Sequence, residues 1–318
     1  MSLTSHLATS ASPIRRFLED SFPILEGTKR GSPLAKELSS FLGFDKLPPC
    51  HLPTLAPKSN QGTIGTAVDY RLRYCFDAYR SSDTVAAIGV DMLGGKAGKN
   101  GARFLDYHDN LVDRLKPVTR HLSDNEEVTL DASCVVMAWF EQIYRSGVTF
   151  PEFEIALKKA TVEEILAIVP PEVVQDIRQL SVAFASDAKH LLKSNAILNP
   201  EFAGSLDVGG ADADIIVDRT LIDFKCTSKI DGSKLRAAAL QLLGYVLLDY
   251  DDEYAITEIM VYLPRQRCSW RIPLWHFVLP TTDVLLASRG KADGIEMLME
   301  KRLKKLRREF RKIARSVE

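Results

Sequence analysis

Long apolar runs are missing from this 318-residue sequence. No segment approaches the roughly 18 consecutive apolar residues that a membrane-spanning helix needs. The N-terminal stretch MSLTSHLATSASPIRRF also lacks the apolar segment of a secretory signal. With 46% hydrophobic and 26% charged residues, the composition is that of a globular protein with a well-buried core. These features predict a cytoplasmic protein that does not use a membrane as a partner.

Cysteine is scarce and scattered. The sequence contains five cysteines and no CxxC pair. Zinc sites and iron–sulfur clusters need closely spaced or grouped cysteines, so neither is expected. Reduced, structural thiols are the interpretation for all five, which are Cys50, Cys75, Cys134, Cys226 and Cys268.

An excess of one charge sign is also absent, because the formal net charge is −1. The C-terminal segment EKRLKKLRREFRKIARS is the exception, since basic residues surround apolar ones that recur at three- and four-residue steps. This pattern predicts a basic amphipathic helix. Contact with phosphates and simple exposure to solvent are both consistent with it.

The pattern of the remaining chain changes near residue 200. Helical spacing predicts helices at 33–42, at 64–79 and through most of 104–198. Short β-branched segments follow, including SLDVGG, ADADIIVD and TLIDFKC, and they are interrupted by a helix with Ser233 as its N-cap. The order of helix, three strands in a meander, helix and further strands predicts one sheet covered by helices, in an α/β or α+β layered fold.

The segment ADADIIVDRTLIDFKC places charged residues inside a hydrophobic hairpin. Side chains alternate along a strand, so Asp214 shares a face with Asp212, and Asp223 shares one with Lys225. A turn at Arg219-Thr220 predicts Asp214 opposite Lys225 and Asp223 opposite Ile216, with all four side chains on one face.

Such a cluster has a chemical interpretation. Two half-buried carboxylates repel each other unless a cation offsets their charge, and Mg²⁺ prefers such oxygen ligands. A neighbouring lysine orients an attacking water or neutralises a phosphoryl transition state. The alternative is a surface hairpin whose Asp–Lys pairs contribute at most about 1 kcal/mol. Asp212 is the alternative ligand if the register shifts.

The hairpin resembles the second and third motifs of the PD-(D/E)xK nuclease superfamily. Asp214 matches the acid that ends the second motif, and Asp223-Phe224-Lys225 matches (D/E)xK. The following helix contains Gln241 and Tyr245, which match the QxxxY of the RecB-like branch.

An earlier segment is similar to that branch as well. Its first helix begins with GTxxH or GTxxE, and this chain has GTAVDYRL at 65–72, with Asp69 at the His or Glu position. The matched segments lie in the family's order. They cover about 62–79 and 202–275 of the sequence.

The resemblance implies a restriction-endonuclease-like core of helix, three-stranded meander, helix and strand, with a large helical insertion. The implied metal ligands of Mg²⁺ or Mn²⁺ are Asp69, Asp214, Asp223 and the carbonyl of Phe224. Asp214, Asp223 and Lys225 are the implied catalytic residues, supported by Gln241 and Tyr245, which also hold the nucleic-acid backbone.

The implied function is hydrolysis of DNA phosphodiester bonds by an exonuclease or endonuclease, in DNA repair or antiphage defence. DNA is the expected partner, together with a helicase, an ATPase or another defence-system subunit. The alternatives are a catalytically inactive DNA-binding or assembly module of the same fold and a nuclease that acts on RNA.

The same resemblance divides the chain into five parts. Residues 1–60 form an N-terminal extension, 61–85 the first core helix and 86–200 the helical insertion. Residues 201–290 form the nuclease core sheet, and 291–318 form the basic amphipathic helix. The insertion is expected to grip DNA, cover the cleft or bind a partner.

Overall fold

A computed structural model of the protein describes residues 2–22, 24–25, 35–77, 79–114, 123–280 and 294–317. Within these ranges the chain forms thirteen α-helices and one five-stranded mixed sheet. The predicted α/β class is confirmed at this level. None of the helices in the described ranges combines the length and the hydropathy that crossing a bilayer requires.

The sheet has its strands in chain order, from β1 to β5. The first three strands pair antiparallel, β3 and β4 pair parallel, and β4 and β5 pair antiparallel. A helix connects β3 to β4, as a parallel pair requires. The chain therefore follows the predicted order of meander, helix and strand. The strands are β1 (Ala196–Leu198), β2 (Ile215–Val217), β3 (Thr220–Phe224), β4 (Glu258–Leu263) and β5 (Cys268–Pro273).

Most helices precede the sheet in the chain, one forms the crossover between β3 and β4, and two follow β5. In order they are α1 (Leu3–Ala8), α2 (Pro13–Ser21), α3 (Ala35–Phe41), α4 (Gln61–Arg73), α5 (Val85–Asp91), α6 (Gly95–Arg114), α7 (Asp124–Ser146), α8 (Pro151–Lys159), α9 (Val162–Ala167), α10 (Pro171–Asp187), α11 (Gly232–Leu248), α12 (Trp275–Val278) and α13 (Ile295–Ala314).

The sheet separates two hydrophobic cores. Alternate side chains such as Ile215 and Ile222 pack with the helices from α4 to α10 in the first core. The residues between them, such as Ile216 and Leu221, pack with α1, α2 and α11 to α13 in the second core. The result is three layers, with helices on both faces of the sheet. Asp214 and Asp223 follow the alternation of the second core and face the layer that contains α11.

The turn between β2 and β3 differs from the prediction. Val217 pairs with Thr220, so the two turn residues are Asp218 and Arg219 rather than Arg219-Thr220. Both have positive φ, at 46° and 66°, as the tight hairpin turn requires. The predicted pairings were therefore wrong by two residues. Continuing the observed register places Asp214 opposite Asp223, which keeps both on the predicted face.

Two other local predictions were wrong. SLDVGG forms a 3₁₀ turn at Leu206–Val208 instead of a strand. Gly209 and Gly210 have positive φ, and the Ser205 hydroxyl binds the backbone of Ala211, which closes a loop. The first strand of the meander is instead β1, before the predicted start of the sheet at 201.

Helix boundaries also shifted. The N-cap of α11 is Asp231, whose carboxylate accepts a 2.9 Å hydrogen bond from the backbone of Lys234, rather than Ser233. Helix α4 ends at Arg73 instead of near Tyr79, because the chain folds back and stacks the Tyr79 ring on Tyr74. The boundary predicted between 290 and 291 lies outside the described residues.

The basic C-terminal segment forms α13, as its periodicity predicted. Its apolar side packs against α2, α11 and α12 in the second core. The buried side chains are those of Met299, Leu303, Leu306, Arg307, Phe310 and Ala314. The predicted amphipathic helix is therefore confirmed, and its apolar side belongs to the core of the protein.

Candidate active site

A pocket of about 310 Å³ lies where β3 ends, between the sheet, α4 and α11. Its lining comes from segments that are up to about 240 residues apart in the chain, from Ser2 to Tyr245. Every residue that the sequence motifs singled out contributes to it. The lining includes Asp69, Asp212, Asp214, Asp223, Phe224, Lys225, Gln241 and Tyr245.

The hairpin holds two of these carboxylates next to each other. Asp214 immediately precedes β2, and its Oδ2 accepts a 2.7 Å hydrogen bond from the backbone N–H of Phe224. Asp223 lies within β3 and is only 4% exposed. The Phe224 side chain packs in the first core against Phe184, which fixes the end of the strand. The backbone therefore sets the positions of both acids.

Lys225 is held between the sheet and α11. Its Nζ donates to Asp223 Oδ1 at 2.9 Å and to Gln241 Oε1 at 3.2 Å. The amide nitrogen of Gln241 donates in turn to the Tyr245 hydroxyl at 2.7 Å. Gln241 and Tyr245 are one turn apart on α11, so they present their side chains on one face of the helix. This chain of hydrogen bonds orients the lysine.

Asp69 reaches the same pocket from α4 and forms an ion pair with Arg73, one turn further along the helix. The Arg73 guanidinium also lies over the rings of Tyr70 and Tyr79, 4.9 and 5.3 Å from their centroids. Arg73 lies outside the four sequence motifs, one residue after GTAVDYRL. The spacing of four residues between an acid and an arginine on a predicted helix is a signal that would have found it.

The proximity of the acids shifts their ionisation. Burial raises the pKa of Asp69 to about 6, and the charges of Glu141 and Asp223 add to this effect while Arg73 opposes it. Burial, together with Asp69 and Asp223, raises the pKa of Asp214 well above its usual value. Burial alone would lower the pKa of Lys225, but the carboxylates of Asp223 and Asp214 outweigh it and raise that pKa.

Two carboxylate oxygens in the pocket, Asp69 Oδ1 and Asp223 Oδ2, are buried and have no hydrogen-bond partner among the residues that the structure describes. Unpartnered buried oxygens and an all-oxygen donor set suit a hard divalent cation such as Mg²⁺. In the described part of the chain, however, no three His, Cys, Asp or Glu side chains are grouped closely enough to hold a metal. The carboxylate oxygens are suitable ligands for a divalent ion, but the acids would have to move closer together to bind it.

The helical segment that precedes the sheet contributes residues that the sequence patterns did not identify. Glu141 on α7 accepts hydrogen bonds from the Tyr70 hydroxyl at 2.8 Å and from Arg145 Nε at 2.6 Å. Arg145 lies at the pocket rim, half exposed and 3.8 Å from Asp212. No local signal marks these residues, because only the packing of α7 against α4 brings them to the pocket.

We call the pocket lined by Asp69, Asp214 and Asp223 the acidic pocket. A groove of about 670 Å³ adjoins it, and both are lined by Phe224, Lys225 and Gln241. Residues of α1 line this groove together with Gly62 and Gly65 of α4. Beyond the backbone of the helix itself, no atom of the described part of the chain lies within 4 Å of a Cβ placed at either glycine, so the helix surface there is open. A substrate therefore has room to extend past the lysine.

Comparison of the chain with protein-family models, with curated proteins and with solved structures gives no significant match. The resemblance to PD-(D/E)xK nucleases is therefore carried by four short motifs, and the side chains of those motifs line one pocket.

Proposed function

We propose that this protein is a Mg²⁺- or Mn²⁺-dependent nuclease of the RecB-like PD-(D/E)xK type that hydrolyses DNA phosphodiester bonds. The observation that carries the proposal is the meeting of Asp69, Asp214, Asp223-Phe224-Lys225, Gln241 and Tyr245 in one pocket. If the hairpin charges were only surface residues, they would not be expected to share a pocket with Asp69 of α4, which lies 145 residues before Asp214 in the chain.

Asp214, Asp223 and the carbonyl of Phe224 would hold the metal, with Asp69 completing the set. When bound, a divalent ion supplies an activated water and neutralises charge on the phosphoryl group. The chain's own contribution is the ammonium of Lys225. Its raised pKa keeps it protonated at neutral pH, so it can hold the attacking water or stabilise charge on a phosphate oxygen.

The remaining residues act through position. Gln241 accepts from Lys225 and donates to Tyr245, so it fixes the rotamer of the lysine. Arg145, half exposed at the rim, is placed to bind a phosphate of the incoming strand. A role in DNA repair or antiphage defence, with a helicase or ATPase as partner, belongs to the same proposal.

The test is cleavage of linear and circular, single- and double-stranded DNA in Mg²⁺, Mn²⁺ or EDTA. Asp223→Asn and Lys225→Met are each expected to reduce the rate by about 1,000-fold or more, because each removes a group that acts on the reacting phosphate. Lys96→Met, a change of the same type at an exposed lysine on α6, is the matched control and should cut normally. Cleavage that persists in EDTA, or in both site variants, would contradict the proposal.

A non-catalytic DNA-binding or assembly module is the second candidate. It is favoured by the ion pair between Asp69 and Arg73 and by the Phe224 N–H bond to Asp214, which already occupy two of the carboxylates. This candidate predicts binding of DNA without cleavage in any metal. RNA substrates belong in the same assay, because cleavage of RNA alone would replace DNA as the substrate.

A further inference from the structure

The outward side of α13 carries seven cations. Successive residues turn by about 100° around a helix axis, so these positions share roughly one third of its circumference. All seven side chains are exposed. We call them the basic face, and they are Lys301, Lys304, Lys305, Arg308, Arg311, Lys312 and Arg315.

Few of these charges are compensated. Lys305 is 3.9 Å from Glu309, and Arg315 is 3.1 Å from Asp207. Arg311 lies over the Tyr250 ring, at 4.9 Å from its centroid. Within the described ranges, the other four cations of the basic face have no ion pair. Like charges at this spacing destabilise an isolated helix, so the buried side of α13 must outweigh their repulsion.

The buried side of α13 also indicates which kind of polyanion the helix can bind, a membrane surface or a nucleic acid. A helix that binds a bilayer inserts its apolar side among the lipids. Here Met299, Leu303, Leu306 and Phe310 are each at most 6% exposed and pack in the second core. The apolar side of the helix is therefore already buried in the protein and is not available to a membrane. Among the described residues of α13, the exposed large apolar side chains are Met297 and Leu298, which lie in its first turn, before the basic face begins.

The basic face also has a suitable length and position. From Lys301 to Arg315 it extends about 21 Å, which matches several successive phosphates of a nucleic-acid strand. Its C-terminal end meets the loop that borders the acidic pocket, because Arg315 and Tyr250 both bind Asp207. Two residues further along the chain, Gly209 and Gly210 line that pocket.

We propose that the basic face binds the sugar–phosphate backbone of a nucleic acid and leads it to the acidic pocket. The inference rests on the proposed function for the role of the pocket, but the contact itself does not require cleavage. Binding is electrostatic, independent of base sequence and strongly dependent on salt. The surplus of negative charge at the pocket repels a polyanionic substrate. A basic surface beside the pocket offsets this repulsion.

The test measures binding of the full-length protein to a fluorescent 30-nucleotide strand and to the matching duplex, in EDTA, over a range of KCl concentrations. The double variant Lys304→Gln with Arg308→Gln removes two unpaired cations from the exposed side of the helix. It is expected to weaken binding about 10- to 50-fold near 0.1 M salt and to reduce the salt slope by about 1.4 to 1.8. The control, Lys96→Gln with Lys99→Gln on α6, has the same charge change on the other side of the sheet and should bind like the wild type.

The outcomes separate this inference from the proposed function. Equal binding by both double variants, or no binding by the wild type, overturns the role of the basic face. Binding to anionic phospholipid vesicles is measured with the same proteins. If Lys304→Gln with Arg308→Gln loses binding to the vesicles but keeps binding to nucleic acid, the role of the basic face in nucleic-acid binding is overturned in favour of a membrane. If the wild type cuts no nucleic acid but the salt slope falls as expected, the basic face stands and the nuclease proposal fails. If the wild type cuts and the slope is unchanged, only the inference about the basic face fails.

Discussion

Two buried charged clusters lie on the sheet of this protein, and they differ in how their charges are balanced. At the turn between β4 and β5, Arg265 is 2% exposed and forms a bidentate pair with Asp176 of α10, at 3.0 and 2.8 Å. Asp176 also accepts hydrogen bonds from Thr54 and Gln179. We call this group the corner cluster. One positive charge meets one negative charge, and both carboxylate oxygens have partners.

The acidic pocket is arranged differently. Among the described residues, five acids but only two cations line it, and two of its buried carboxylate oxygens have no hydrogen-bond partner there. Folding alone does not favour such a surplus, because buried charges without compensation are costly. A cluster with balanced charges is typical of a structural contact between secondary-structure elements. A surplus of charge of one sign is typical of a site that binds a ligand of the opposite charge. The contrast can be tested by removing charge from each cluster in turn.

The largest effect is expected at the corner cluster. Arg265→Met removes the cation that pairs with Asp176 and leaves a buried carboxylate uncompensated, which should lower the free energy of unfolding by about 3–5 kcal/mol. Urea denaturation of the metal-free protein measures it. The double variant Arg265→Met with Asp176→Leu should recover much of the loss, since no buried charge then remains. A single variant that costs less than about 1 kcal/mol would mean that this pair does not connect α10 to the sheet.

A smaller effect is expected from the ionisation of Asp69. Its pKa is raised by burial from 3.8 to about 6, so the folded state favours the protonated acid. This contribution to stability is present at low pH and is lost as the pH rises through about 6. In EDTA, the stability of the wild type relative to Asp69→Asn should therefore fall by about 2–3 kcal/mol between pH 4 and pH 7. A difference that stays constant over this range, or that rises with pH, would contradict the surplus of negative charge in the pocket.

Much of the pocket could be predicted from the sequence, because its motifs are local and ordered. Alternation along the strands placed Asp214 and Asp223 on one face, and this held even though the turn was misplaced by one residue, which shifts each cross-strand pairing by two residues. A pairing shift of two residues preserves the alternation, whereas a pairing shift of one would have reversed it. The spacing of Gln241 and Tyr245 on a helix likewise predicted that they share a face.

The parts that the sequence did not predict depend on packing between distant elements. Nothing near Glu141 or Arg145 indicates that α7 brings them to the pocket. The strand β1 is only three residues long, too short for its alternation to be recognised. The loop at 205–210 was mistaken for a strand because its apolar residues alternate, while the positive φ of Gly209 and Gly210 ends any extended pairing. Such features follow from tertiary contacts and backbone geometry rather than from local pattern.

At Asp214, the acidic pocket should respond to the loss of a charge in the opposite way to the corner cluster. In Asp214→Asn the side-chain oxygen remains to accept the Phe224 N–H bond, while one surplus charge disappears. The metal-free variant should therefore be more stable than the wild type by about 1–2 kcal/mol. The same change removes a proposed metal ligand. For a dissociation constant near 1 mM, 10 mM Mg²⁺ should stabilise the wild type by about 1.4 kcal/mol and leave the variant unaffected.

Thermal unfolding at neutral pH, with Mg²⁺ or with EDTA, separates these two effects within one experiment. Asp218→Asn, at the exposed turn of the same hairpin, is the matched control and should respond to Mg²⁺ like the wild type. If Asp214→Asn destabilises the metal-free protein, the carboxylate is balanced in the native state and the pocket resembles the corner cluster after all. If the variant is stabilised but Mg²⁺ and Mn²⁺ do not change the stability of the wild type, the surplus negative charge is not a site for these ions. A basic partner then becomes the better explanation of the pocket.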